Sequence, residues 1–395
     1  MEQKIIIPSL NESERFHSLD ALRGIAALVV VFWHWIGESW VVSNHNQPFN
    51  FTLWGKTFSI FGFTSARDFF IAFRIGGSSV IFFFVLSGFI FCYKYFDKIT
   101  DKKTSFQDYC LARFTRLYPL VFITTISAVL LFYFVKDAVI DIYEITRSVL
   151  ILSGFQFGKI KGASVVNIPA WSVGAELWAY LVFFGLCVLY RKHKSKLIFS
   201  IPIFLGILAI NFYSSGFNVR YIPGFLGLDF VKVFVAFFIG VFLFWFYDFL
   251  KQNSKFKKIF SVFSLSLISI YLFYLYKGEG YYYLAPNYGN YYILLSVFFF
   301  PCVILLALNV GFLRKFLSLG IFRWLGNLSF SIYLWHYPLS VFLSYVHRHI
   351  DFNIESKKVI LLYFVLLLII SHLSYYFFEV PVQKFLRNKY YKNKK

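Results

Sequence analysis

Charge is what this chain has least of. Only 15% of its 395 residues are Asp, Glu, Lys or Arg, against about a quarter in an average soluble domain. With so little polar surface the chain cannot cover a soluble core. Cysteine is scarce as well. Cys92, Cys110, Cys187 and Cys302 are scattered in or beside apolar segments. They form no CxxC pair and no Cys/His ligand spacing, so neither a disulfide framework nor a metal site is expected. The first apolar run lacks a small-residue cleavage site, so it is expected to be a retained span and not a removed signal peptide. No repeat period and no low-complexity tract is present.

What the chain has in excess is apolar and aromatic bulk: 59% of it is hydrophobic, with 55 Phe and 28 Tyr. Lipid can hide that much apolar surface, and helices can satisfy their own backbone groups there. The net charge of +20 would suggest nucleic acid in a soluble protein. Here the basic residues sit in short loops between apolar runs, the pattern that orients membrane helices. Membrane lipid is therefore the expected partner, and nucleic acid is not.

A span needs about 17–25 mostly apolar residues. Ten candidates lie near 19–40, 75–93, 117–136, 170–190, 197–213, 229–250, 258–276, 291–309, 327–346 and 358–383. The fifth is short, and a further apolar stretch at 147–157 is too short to cross and is expected at the interface. With the N-terminus inside, the cytoplasmic pieces hold 25 Lys and Arg and the outer loops 12. Both termini are then cytoplasmic. The expected fold is an all-α polytopic membrane bundle of about ten helices. A cytoplasmic tail (1–18) would precede a transmembrane domain (19–386), and a basic cytoplasmic tail (387–395) would follow it.

Ionisable groups inside hydrocarbon cost at least a few kcal/mol each, which makes them functional candidates. Six stand out: Asp20, Arg23, His34, Glu176, His336 and Glu379. Arg23 and His34 share the first span, and their eleven-residue spacing returns to within about 20° of the same helix face, roughly 16 Å farther along. Arg23 would then lie near the cytoplasmic end and His34 in the outer half. The plain alternative is an arginine that snorkels and a histidine that caps an outer end. Glu176 follows Trp171-Ser172 at the outer start of the fourth span, at the depth expected for His34. A His–Glu pair across two helices is sterically possible there, the carboxylate fixing the imidazole or binding a sugar hydroxyl. Otherwise it caps or snorkels. Arg113 and Arg116, just before Pro119 and the third span, could join Arg23 around phosphate oxygens, or serve as ordinary positive-inside charge. Ser87-Gly88 reads as a close helix approach. For His336 the sequence admits both a structural hydrogen bond and a substrate contact.

Several of these motifs coincide with one family. Ser18-Leu19-Asp20-Ala21-Leu22-Arg23-Gly24, running on to His34, resembles the opening of the membrane acyltransferase-3 family, whose hallmark is an arginine and a histidine separated by ten residues. Phe83 through Phe89 resembles its second-span motif. Arg113-Phe114-Thr115-Arg116-Leu117-Tyr118-Pro119 resembles its Arg-x-x-Arg-Ile-x-Pro, with Leu117 for isoleucine. Trp171-Ser172 with Glu176 resembles its Trp-Ser-Leu-x-x-Glu region, although Val173 stands third and Ala175-Glu176 leaves one carboxylate where a pair is common. Leu325 through Ser329, His336 with Pro338, and Glu379-Val380-Pro381 are similar to its last two spans.

The resemblance covers nearly the whole chain, and the chain looks like the stand-alone type without the C-terminal esterase-like domain. It implies an inner-membrane O-acyltransferase that takes an acyl group, usually acetyl, from acyl-CoA as co-substrate to a glycan or glycolipid. By the same resemblance Arg23, Arg113 and Arg116 would meet the CoA phosphates, and His34 would act as base or carry the acyl group. Glu176 would position His34 or the sugar, and Asp20, Ser87, Trp171, His336 and Glu379 would bind substrate or support the site. The rival class is a transporter or flippase, with the buried ions lining a path. Neither an inverted repeat nor a matching pair of broken half-helices supports it.

Overall fold

The computed structural model describes residues 16–37, 50–53, 56–59, 75–136, 142–149, 166–214, 228–276, 295–350 and 357–393. Long apolar runs without water must satisfy their backbone groups internally, and they do so as helices. Along the chain these are α1 (His17–Gly37), α2 (Ile75–Thr100), α3 (Phe106–Lys136), the short α4 (Ile142–Val149) and α5 (Ala170–His193). A 3-10 turn (Lys196–Ser200) leads into α6 (Ile201–Ser214), and α7 (Leu228–Gln252) and α8 (Ser254–Tyr276) follow. A π-helical turn (Leu295–Phe299) opens α9 (Phe300–Asn309), then come α10 (Gly311–Leu317), α11 (Gly320–His349) and α12 (Lys357–Leu373). A second π-helical segment (Ser374–Glu379) joins α12 to α13 (Val380–Asn393). The one departure from an all-helical chain among the described residues is a small antiparallel hairpin, β1 (Asn50–Leu53) with β2 (Lys56–Ser59).

The fold is a helical membrane bundle, and the described residues of each of the ten expected segments are helical. Among the described residues, five helical stretches are long and apolar enough to cross a bilayer by themselves: Ser78–Thr100, Phe106–Phe134, Ala170–His193, Asp229–Gln252 and Lys358–Lys392. A bent pair, Leu295–Asn309 with Gly311–Leu317, turns by 90°. The thirty-residue α11 is absent from that group because it is rich in polar side chains, which it buries: Ser329, Ser331, His336, Ser340 and Ser344 are all turned into the protein. The interfacial stretch expected at 147–157 begins within α4, and its remainder lies outside the described residues.

One boundary correction matters for function. The third span was expected from 117, with Arg113 and Arg116 just before it, yet the helix α3 starts at Phe106 and carries both arginines within it. Charged residues depress a hydropathy window whether or not neighbours shield them, so the window stopped short of a helix whose charges are covered.

Two glycine crossings set the helix spacing. A Cβ at Gly88 in α2 would stand 1.8 Å from the carbonyl oxygen of Phe237 in α7, and one at Gly240 would stand 2.0 Å from that of Val85. The α1–α11 crossing has the same character: a Cβ at Gly24 would come within 2.7 Å of the Leu325 backbone, and one at Gly326 within 2.3 Å of the Asp20 carbonyl oxygen. In lipid, where water does not drive helices together, close backbone approach of this kind is what makes packing favourable. These crossings hold α1, α2, α7 and α11 as the bundle's centre, with Phe89, Phe91, Phe183 and Phe237 filling the core beside them.

Candidate active site

Five helices converge on a cavity of about 80 Å³. Its polar wall carries Arg23 from α1, Ser87 from α2, Arg116 from α3, Ser172 and Glu176 from α5, and Ser329 from α11. Val80, Phe83, Phe84, Val173, Phe330 and Tyr333 close the apolar side.

The three arginines expected to act alike have different surroundings. Arg23 is tied across the α1–α11 crossing: its Nε donates to Ser329 Oγ (2.9 Å), and Nη2 donates to the Gly326 carbonyl (3.0 Å) and pairs with Asp20 Oδ1 (3.4 Å). Arg113 is 5% exposed and caged by aromatic rings. Its guanidinium lies 4.8 Å from the centroids of Phe91 and Tyr95 and 5.8 Å from Tyr180, and it donates to the Tyr95 hydroxyl. A cation over ring faces is stabilised by their quadrupoles, more so when water is excluded. Arg116 makes no hydrogen bond to another described residue and lines the cavity, within electrostatic reach of Glu176 and Asp20.

Around them the structure adds two cations that the sequence reading did not single out. Lys94 of α2 shares the field of Arg116, Arg113, Arg23 and Asp20. Arg387 of α13 donates to Thr115 Oγ1 (3.2 Å) and the Ala112 carbonyl (3.4 Å), docking the last helix onto α3 beside Arg113 and Arg116. No periodicity could have grouped residues from four helices.

Glu176 accepts hydrogen bonds from Ser87 Oγ (3.1 Å) and from the Tyr180 hydroxyl. The possible His34–Glu176 pair is therefore not what forms. His34 meets His336 instead, with 3.2 Å between His34 Nδ1 and His336 Nε2 and the rings 5.0 Å apart, 24° from parallel. His336 is fully buried, and its Nδ1 lies 2.6 Å from the Tyr333 carbonyl oxygen. Its own carbonyl accepts from Ser340 Oγ (2.7 Å) and from the Tyr363 hydroxyl of α12 (3.0 Å). One turn along, Pro338 has no N–H to give the Leu334 carbonyl, and Asn167 Nδ2 approaches that oxygen at 3.5 Å. The Tyr333 hydroxyl bonds Ser172 Oγ (2.9 Å), so the cavity wall and the histidine pair share one hydrogen-bonded frame.

The remaining expected residues are more peripheral. Trp171 packs half-buried against the core at the start of α5 and does not line the cavity. Glu379 accepts from Ser331 Oγ within the π-helical segment, in the field of Arg116. Ser329, Ser331 and Tyr333 stood inside or beside quoted motifs, but nothing in the sequence gave them these partners. Among the described residues no cluster of His, Cys, Asp and Glu suits a metal ion.

Residues 16–379 match the family model described as the acyltransferase domain of the acyltransferase-3 family. The chain belongs to that family. Among curated proteins it is similar to the peptidoglycan O-acetyltransferase OatA of Listeria monocytogenes, at 23% identity over 388 residues. The aligned region covers 93% of this chain and 56% of OatA, so the chain spans little more than half the length of that relative. No solved structure matches. The family match begins one residue before α1 and ends at Glu379, the last residue of the π-helical segment. It therefore takes in Arg23, His34, the cavity and His336 together.

Proposed function

We propose that this chain is a bacterial inner-membrane O-acyltransferase that moves an acetyl group from acetyl-CoA to a hydroxyl of a cell-surface glycan. Family membership supplies the reaction class. The observation that carries the donor is one of charge. Among the described residues, Arg23, Lys94, Arg113, Arg116 and Arg387 share one region with Asp20, Glu176 and Glu379. Cations in excess of their carboxylates are costly away from water, and an anion with several phosphates offsets that cost through charge-assisted hydrogen bonds. The phosphates of CoA fit that requirement.

In the proposed topology ten helices cross the membrane and both termini are cytoplasmic. The cationic region then faces inward and His34 lies toward the outer side, so the donor enters past Arg23 and Arg116 in the cavity wall and meets an external acceptor at His34, which stands outside the cavity lining. His34 takes the proton of the acceptor hydroxyl as that oxygen attacks the thioester carbonyl. The C–S bond breaks, and the proton passes from His34 to the departing sulfur to give free CoA thiol. Glu176, held by Ser87 and Tyr180, balances Arg116 at the cavity wall. OatA is named as acting on peptidoglycan, which makes peptidoglycan the first acceptor to test here.

The test is reconstitution in proteoliposomes with radiolabelled acetyl-CoA and peptidoglycan fragments, reading both thiol release and ester on the glycan. Acceptor-dependent thiol release is expected. Glycan movement across the bilayer without thiol release would instead establish a transporter or flippase.

A further inference from the structure

The fully buried His336 sits between a fixed carbonyl and His34, and its hydrogen bonds permit only one arrangement of protons. A neutral imidazole carries one N–H and one bare nitrogen. The Tyr333 carbonyl, 2.6 Å from His336 Nδ1, can only accept, so the proton of His336 is on Nδ1 and its Nε2 is bare. That bare nitrogen faces His34 Nδ1 at 3.2 Å. The contact is a hydrogen bond only if His34 Nδ1 carries the proton. His34 Nε2 is then the bare nitrogen.

We propose that His336 is a positioning residue which holds His34 in the Nδ1–H tautomer and leaves Nε2 as the atom that takes the acceptor's proton. This rests on His34 being the base. During transfer the acceptor O–H proton moves to His34 Nε2 while Nδ1–H remains bonded to His336 Nε2. The imidazolium formed at that moment is stabilised by a neutral acceptor, and the Nε2 proton then leaves on the CoA sulfur. The neighbouring frame keeps this acceptor rigid. Ser340 and Tyr363 hold the His336 backbone, and Asn167 reaches the carbonyl that Pro338 leaves without a helical donor. A well-fixed second group that orients a catalytic histidine is a common requirement of such chemistry.

Two measurements test it. Nitrogen NMR of 15N-histidine-labelled full-length protein in lipid nanodiscs, with His34 assigned by its loss in His34→Gln, should show a bare Nε2 and a protonated Nδ1. An Nε2–H tautomer in the wild type overturns the proposal, and this readout does not depend on activity. In the second, His336→Leu removes the acceptor and His336→Gln restores one through its side-chain oxygen. At equal membrane levels His336→Leu should lose roughly ten- to a hundred-fold in kcat, the scale of one hydrogen bond to a charged group, with donor KM unchanged. His336→Gln should recover most of that loss. Wild-type kcat in the leucine variant, or a glutamine variant as slow as leucine, refutes the assignment. Full activity in His34→Ala would sink the base reading alone and leave the NMR result standing.

Discussion

Arg116 and Arg113 stand three residues apart on one helix, yet alanine should affect them in opposite ways. Arg116 lines the cavity without a hydrogen bond to another described residue, so Arg116→Ala breaks no hydrogen bond between helices and leaves Glu176 its bonds from Ser87 and Tyr180. It removes a cation from the proposed phosphate site. A hydrogen bond to a charged group contributes about 1.5–3 kcal/mol, which is roughly a ten- to hundred-fold rise in donor KM at saturating acceptor. kcat should change little, because the contact is made equally before and during the reaction. Arg113→Ala should instead empty the cage of Phe91, Tyr95 and Tyr180, forfeiting cation–π contacts of up to about 2 kcal/mol each when desolvated. Its signature is loss of folded protein in the membrane. The assay is steady-state thiol release with acetyl-CoA varied, run beside detergent thermal-melt measurements on both variants. An unchanged donor KM in Arg116→Ala would refute the phosphate assignment. A stable Arg113→Ala with a raised KM would show that the cage is not what Arg113 is for.

His34→Gln keeps some hydrogen bonding but cannot shuttle a proton, so transfer should fall by about 10²–10⁴-fold, read as glycan esters in cells at matched membrane levels; retention of a large fraction of activity would remove His34 from the mechanism. Gly88→Val should not give a folded bundle, since even a Cβ there would meet the Phe237 carbonyl oxygen at 1.8 Å; a normal monodisperse peak in detergent chromatography would contradict that crossing. Reporter fusions after Lys103, Lys194 and Lys258 should read cytoplasmic, and fusions near Asn218 and Gly280, both outside the described residues, should read external. If Lys194 and Asn218 reported the same side, the short α6 would not cross and the topology would need redrawing.

The sequence alone determined the class of solvent, the helices and the first-span geometry. Low charge and long apolar runs leave no option but lipid, and α-helical periodicity puts Arg23 and His34 on one face whatever surrounds them. The motifs also pointed to the right family. What periodicity leaves undetermined is how each helix is rotated against its neighbours. A residue's angle on its own helix is local, whereas its partners come from elsewhere in the chain. Tertiary packing therefore decided that His34 meets His336 of α11 and not Glu176 of α5. It also decided that Arg113 is enclosed by rings from α2 and α5 while Arg116 opens onto the cavity, although both occupy neighbouring turns of α3. Lys94 and Arg387 joined the cationic region for the same reason: helices far apart in the chain were brought together by glycine crossings and by the docking of α13 onto α3.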